Sequence, residues 1–296
     1  MKTHLLRAML LLTLASGCGS VQDESLEPEA PGVAQQALEE DNGLTANGIA
    51  FNGLAFNGLA FNGLAFNGLS SANFNAWFGQ DPTNAALFMK YLVRCAVPAG
   101  QTRTYTRGPT TYTWTGGLGL ATAWASGSPA TEEEQETVSA CLGALTNKYA
   151  RSVVLSVLGL TAQNTLIPTS SQELATYSLR EGCFFGNLFN GKGLFVGNDQ
   201  GLLGPNQNSL RACALEGPNA CPPLQHVGSC HVTCMHDSTG TAFPWCQHQG
   251  HWYRALTTRL RPQDVYTCGD GICQFPESCG DRDAGDMCKR DCGRCN

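Results

Sequence analysis

Leu14-Ala15-Ser16-Gly17-Cys18 closes an N-terminal segment built for export. Lys2 and Arg7 give it a basic start, and Ala8 to Ala15 form an apolar run too short to span a bilayer. Export decides how every later cysteine is read, because thiols oxidise outside the cytosol. Beyond Cys18 there are fourteen cysteines, an even number. Two even sets predict two separately stapled units. The first holds Cys95, Cys141, Cys183, Cys213, Cys221, Cys230, Cys234 and Cys246. The second holds Cys268, Cys273, Cys279, Cys288, Cys292 and Cys295.

The same five residues resemble a lipobox, whose cysteine is lipidated and becomes the first residue of the mature protein. The match departs from the commonest form in carrying Ala15 where leucine is usual. The resemblance implies lipid attachment at Cys18 and a membrane contact through that lipid. Gly19 follows, not an aspartate, which points to the outer membrane or cell surface.

Only 14% of the residues are charged, against 34 glycines and 14 prolines, which suits a loop-rich exported protein better than a cytosolic enzyme. The net charge of −6 is unevenly spread. No Lys or Arg occurs from Ala8 to Met89, and residues 19–41 hold seven acids. That acidic segment is too poor in large apolar side chains to offset ordering entropy. It predicts a disordered tether over 18–41, after a signal peptide of 1–17. Residues 82–265 carry twelve bases and ten acids, so no basic stripe exists and nucleic acid is excluded as a partner.

Asn-Gly then recurs at Asn42, Asn47, Asn52, Asn57, Asn62 and Asn67, a strict period of five over 42–71. Five matches neither the helical nor the strand period. Glycine at each corner supplies a positive φ, and Leu and Phe can point inward, as in a coil turning every five residues. The array resembles a pentapeptide-repeat solenoid, except that Phe precedes Asn and Gly follows it. Six units make about one and a half turns of a four-sided coil, short of the roughly three stacked units a solenoid needs. The segment therefore reads as a semi-ordered stalk. A small solenoid capped by Phe74, Trp77 and Phe78, or pairing between chains, are the alternatives.

Residues 80–262 predict a disulfide-stapled α+β domain of helices followed by cysteine-tied strands. Asp81-Pro82 caps a helix that Pro98 stops, with Phe88, Met89, Leu92, Cys95 and Ala96 on its apolar side. Gln101 to Thr115 reads as a hairpin around Arg107-Gly108-Pro109, and Gly116 to Gly119 as a turn. Thr131 and Glu134 form a capping box for a second helix carrying Val138, Cys141, Leu142 and Leu145. Cys95 and Cys141 both face inward, so they bond each other, or each bonds a later cysteine such as Cys183 or Cys213. Val153 to Leu158 reads as a buried strand. A third helix, boxed by Ser170 and Glu173, is expected to run towards Glu181-Gly182-Cys183-Phe184-Phe185-Gly186-Asn187-Leu188-Phe189. Trp252 to Leu260 closes the domain as an alternating strand.

Four segments occur together in order: Leu92-Val93-Arg94-Cys95-Ala96-Val97-Pro98-Ala99-Gly100, Val138-Ser139-Ala140-Cys141-Leu142, Phe185-Gly186-Asn187-Leu188-Phe189, and the block from Gly228-Ser229-Cys230 to Cys234. This set is similar to a family of uncharacterised cysteine-rich exported proteins of myxobacteria, over roughly 80–262. It implies fold and address, and no activity. Residues 266–296 resemble a short Cys-Gly-Asp-Gly-x-Cys module appended to many secreted bacterial proteins. About thirty residues cannot hold a core, so three disulfides are expected to hold it.

Chemistry-bearing clusters are few. His226, His231, His236, His248 and His251 crowd into one stretch; His248, His251 and His231 are the candidates for a shared zinc or copper ion. Asp270 and Glu277 lead six tail carboxylates that offer oxygen ligands to calcium, although the spacing is not that of an EF-hand. Cys292 and Cys295 have redox-motif spacing, but in a six-cysteine tail they read as structural. Glu181, among aromatics, is the one candidate for a raised general acid. No His-Glu-x-x-His, Gly-x-Ser-x-Gly or Walker motif is present. The reading is a lipid-anchored envelope protein, a binding or structural module for an unidentified envelope or extracellular ligand. An exported hydrolase or metalloenzyme is the alternative.

Overall fold

The computed structural model describes residues 44–45, 72–149, 153–211, 213–274, 277–281, 283–284 and 287–295. The signal peptide, Cys18, the acidic tether and all but two residues of the repeat segment lie outside the described residues. Everything described belongs to one compact unit spanning 34–296.

Two residues of the repeat form β1 (Leu44–Thr45). Helix α1 (Ala72–Gln80) then places Phe74, Trp77 and Phe78 at three- and four-residue spacing on one buried side. The Phe74 and Phe78 rings lie 4.8 and 4.7 Å from that of Tyr105. These aromatics therefore pack into the domain's own core, which begins at α1 rather than at residue 80. Helix α2 (Pro82–Ala96) starts where Asp81 accepts from the Asn84 N–H at 3.1 Å, with Pro82 in the first turn where its missing N–H costs nothing. The hairpin β2 (Thr102–Arg107) and β3 (Thr110–Thr115) folds back on both helices, and Trp114 Nε1 donates to the Ala86 carbonyl at 3.0 Å. The glycine cluster is a turn that closes α2: Gly117 N and Leu118 N donate to the Val97 and Arg94 carbonyls. A Cβ on Gly117 would stand 2.8 Å from the Arg94 oxygen, so the close approach requires glycine.

Helix α3 (Thr122–Ala125) precedes α4 (Glu132–Ala144), whose N-terminus carries the expected Thr131–Glu134 capping box. Glu134 is buried and does more than the box requires. It also accepts from Ala123 N at 2.7 Å and Trp124 N at 3.3 Å, fixing the start of α3 as well. Cys95 of α2 bonds Cys141 of α4 with a Cα–Cα separation of 6.0 Å. The bridge spans 46 residues, on the order of 4 kcal/mol in the chain-entropy model.

Strand β4 (Thr146–Asn147) pairs in parallel with β1. Next come β5 (Ser156–Gly159) and α5 (Ser171–Thr176), capped by Ser170 accepting from Glu173 N at 3.0 Å. The helix was expected to run on towards Glu181, but it stops after Thr176. Residues Leu179–Asn187 form β6, a strand with Glu181 through Asn187 buried. Phe184 and Phe185 point to opposite faces and both faces are covered, so helical and strand periods were indistinguishable there.

The remaining strands are β7 (Gly193–Asn198), β8 (Gln207–Ser209) and β9 (Gln225–Ser229). Helix α6 (Cys230–Thr233) leads into β10 (Cys234–Met235), β11 (Trp245–His248) and β12 (His251–Leu260). Strands β10, β11, β12, β6, β7 and β9 make a curled sheet in that order, and β5 takes the edge of β12 that β11 leaves open. Within this sheet β7–β9 is the one parallel pair among the described residues. The expected alternation of Trp252 to Leu260 is absent, because Tyr253 to Thr258 are all buried. Leu256, Phe184 and Val196 align across three strands beneath α4, while Ala255, Phe185 and Phe195 align on the reverse face with Phe243 and Tyr253. The chain is thus a mixed α and β structure with a two-faced core.

Disulfides cover the reverse face where another protein would place helices. Cys183–Cys230 crosses from β6 over β7, and Cys234–Cys246 joins β10 to β11. A Cβ on Gly197 would lie 2.9 Å from Cys183 Sγ and 3.1 Å from Cys230 Sγ, so this glycine gives the bridge its room. Cys213–Cys221 ties a loop. After β13 (Val265–Thr267), which pairs with β8, the bonds Cys268–Cys288, Cys273–Cys292 and Cys279–Cys295 close the C-terminal stretch. That stretch contains β14 (Asp283–Ala284), β15 (Met287–Cys288) and α7 (Lys289–Cys292). None of the seven bonds joins the two cysteine sets. Truncation after Thr267 is therefore expected to leave an oxidised domain with no free thiol, by thiol titration and mass spectrometry of non-reduced peptides. A reactive thiol in the truncated protein would contradict this pairing.

Candidate functional site

Glu181 sits at an irregularity of the central pair. Thr258 faces Gly182 while Arg259 faces Arg180, so Glu181 is an extra residue in β6, a bulge that re-aims its side chain. Its Oε1 accepts from Arg211 Nε at 2.7 Å and its Oε2 from Thr258 Oγ1 at 2.6 Å. Both ionic side chains are fully enclosed, and Arg211 also donates to the Ala144 carbonyl at the end of α4. A carboxylate with each oxygen tied to a donor inside the core ties β6 to α4, and no solvent path leads to it. It neither closes a helix nor lines a cleft.

The histidines do not converge on one ion. His248 and His251 are opposite each other across the β11–β12 hairpin, whose Gln249-Gly250 turn has φ of 50° and 80°. Their rings then part. His248 packs at a tilt against Phe195, 4.2 Å between ring centroids, whereas His251 Nε2 lies 3.3 Å from Glu136 Oε1. Around His251 a charged group assembles: Lys192 Nζ is 2.8 Å from Glu132 Oε1 and 3.3 Å from His251 Nε2. Burial pushes the Glu136 carboxyl up, against the opposing pull of the Arg254 N–H and His251. The Glu132 bond raises Lys192, and burial raises Tyr253 beside it. Glu132, Glu136 and His251 present one ligand atom each within 4.8 Å of one another, but the Lys192 ammonium already serves as their counter-ion. His226 is spent internally: its Nε2 faces the Ala214 carbonyl at 3.2 Å, and its Nδ1 accepts from Gly228 N at 3.3 Å.

His231 and His236 form a separate pair. His231 Nε2 lies 3.2 Å from Asp199 Oδ1 and 3.3 Å from the Asp199 carbonyl, while its Nδ1 lies 3.2 Å from His236 Nε2. Asp199 is buried, and its other carboxylate oxygen accepts from Arg180 Nε at 2.9 Å. Phe243 underlies both rings, 5.3 Å from His231 and 4.3 Å from His236. His236 escaped the sequence reading, which had paired His231 with His248 and His251. The five-residue spacing gave no periodic signal, and only the two disulfides around it bring the rings together.

In the C-terminal stretch the carboxylates are turned to local donors. Asp291 accepts from Gly269 N at 2.7 Å and Gly271 N at 3.0 Å, so it fills the amide cradle of the Cys-Gly-Asp-Gly turn. Asp270 accepts from Ile272 N and Gln274 Nε2. Glu277 accepts from Gln274 N at 2.9 Å, and burial raises its carboxyl. Glu277 and Asp291 cluster with Cys268 and Cys288, but those sulfurs are bonded to each other, leaving two carboxylates as ligands. A cleft of about 440 Å³ lies elsewhere, lined by Leu158, Leu166, Ile167, Leu174 and Thr241, and includes neither Glu181 nor a histidine. Compared with protein-family models, curated proteins and solved structures, the chain finds no match.

Two outcomes test these assignments. Glu181→Ala leaves Arg211 buried without its anion, and a loss of about 3–5 kcal/mol in urea unfolding is expected; a loss below about 1 kcal/mol would mean the pair is not sealed. For Glu136, a carboxyl raised in the folded chain holds its proton longer than in the unfolded chain. Its ionisation therefore removes stability as pH rises from the unfolded value of about 4.3 through the raised folded one. Relative to wild type, Glu136→Gln should gain stability between pH 4 and pH 7. A difference that stays flat with pH refutes the raised carboxyl.

Proposed function

We propose that the chain is a lipid-anchored cell-envelope protein whose disulfide-stapled domain acts as a binding or structural module at the outer membrane or cell surface. The acidic tether and repeat stalk hold that domain off the membrane, and the C-terminal stretch is a small cysteine-rich tail module. The observation that carries this reading is the bonding of every cysteine from Cys95 to Cys295 into seven bridges. Such a framework persists only in an oxidising compartment, which export through the N-terminal signal supplies. Among the described residues no helix is long and apolar enough to cross a membrane, so the anchor in this reading is the lipid on Cys18.

The module reading is favoured over an exported hydrolase by the enclosure of Glu181. A general acid must reach substrate, and this carboxylate is committed to Arg211 and Thr258. The ligand is an envelope or extracellular component, consistent with the resemblance to exported myxobacterial proteins. Cys18→Ser tests the anchor: the variant should leave the membrane fraction and lose fatty-acid labelling. Labelling that persists unchanged at another residue would refute it.

A further inference from the structure

The pair formed by His231 and His236 has the features of a prepared ligand set. His231 Nε2 lies 3.3 Å from the Asp199 main-chain carbonyl, which can only accept, so its proton resides on Nε2; the Asp199 Oδ1, 3.2 Å away, is outside hydrogen-bond geometry. In the neutral ring Nδ1 is then a bare lone pair, and it points at His236 Nε2, 3.2 Å away. Two imidazole nitrogens bound to one ion at about 2.0–2.1 Å stand roughly 2.9–3.4 Å apart in adjacent positions. The observed spacing falls within that range, and a small rotation of each ring turns its lone pair from the other nitrogen to a shared ion. The Asp199 main-chain carbonyl faces that far nitrogen, and a backbone carbonyl is one of the usual outer-shell supports of a ligating histidine.

The segment that carries the pair is fixed at both ends of its short span. Cys230 precedes His231 and is bonded to Cys183, while Cys234 lies two residues before His236 and is bonded to Cys246. Asp237 follows directly, its carboxylate accepting from Thr241 N at 2.9 Å and Thr239 Oγ1 at 2.9 Å, which pins the chain after His236. Both histidines are nonetheless solvent-exposed. Arg180 neutralises the Asp199 carboxylate through Oδ2, so the carboxylate is not itself drawn towards an ion.

We propose that His231 and His236 form a two-histidine site for a divalent transition-metal ion, oriented by Asp199, with Cu²⁺ the tightest and Zn²⁺ and Ni²⁺ weaker. Imidazole nitrogens select these ions over Mg²⁺ or Ca²⁺, and the order follows the general affinity series. Binding requires only that His236 carry its proton on Nδ1. The remaining coordination positions face water, where a donor from a ligand can enter. The site does not rest on lipid attachment.

The test uses the purified full-length chain titrated with Cu²⁺ alone, followed by calorimetry and electron paramagnetic resonance. One ion per chain with two-nitrogen coupling is expected. His231→Ala and His236→Ala should each weaken binding at least tenfold, while His248→Ala and His251→Ala leave it unchanged. A readout separate from stability is the ¹⁵N spectrum of the ion-free protein, in which His231 shows the Nε2–H tautomer. Thiol titration confirms that each variant keeps its bridges. Undiminished binding in the His231→Ala/His236→Ala double variant overturns the proposal. So does loss of binding in His251→Ala alone, or no binding by the wild type.

Discussion

The pairing of β6 with β12 is the constraint on which the structure depends, because these two strands are buried on both faces. A strand in that position needs two covers, and the chain supplies them by different means. On one face α4 lies over Phe184, Val196 and Leu256, and α2 packs on α4 behind it. On the other a loop-rich layer closes over Phe185, Phe195 and Tyr253, too thin to stay closed by apolar contact alone. Cys183–Cys230 and Cys234–Cys246 hold that layer down. Each cover thus has its own chemistry, packing with one helix–helix bridge against a short-range covalent mesh.

The bulge at Glu181 shows how a polar group can be used inside such a core. Burying an ion pair is costly in desolvation, and the cost is offset only where the remaining lone pairs and protons find partners. Here each carboxylate oxygen has a donor, Arg211 or Thr258, and Arg211 reaches on to the last carbonyl of α4, a group helix geometry leaves without an intrahelical donor, while its Nη1 stays buried without a partner. One side-chain pair thereby joins the central strand, its neighbour and the helix above, and fixes their register.

The elements carrying local punctuation were legible from sequence. Asp81-Pro82, the Thr131–Glu134 box and Ser170 each mark a helix start that the structure keeps. Hairpin β2–β3 was equally plain from its Thr and aromatic content. The reading failed at Glu181 to Phe189, where burial on both faces erases the alternation that distinguishes a strand. In β12 the strand itself was legible, and only its expected alternation failed, for the same reason. The parity of the cysteines separated two sets, but parity says nothing about which face a bridge covers. The meeting of His231 with His236 and Asp199 joins positions from two ends of the sheet, and no spacing in the chain encodes it.

Gly197 carries a consequence beyond making room for sulfur. Because the bond from Cys183 to Cys230 passes flat over β7, the reverse face is closed by a link that a reductant can open while the helix-side cover stays packed. Local opening would then separate from global unfolding, since each face has its own cluster of apolar side chains and its own bridges. Amide exchange in β9 and α6 would rise under mild reduction while that of α4 stays slow. The two faces would behave as separate cooperative units sharing one sheet, and the outer one could vary its loops without disturbing the helical core.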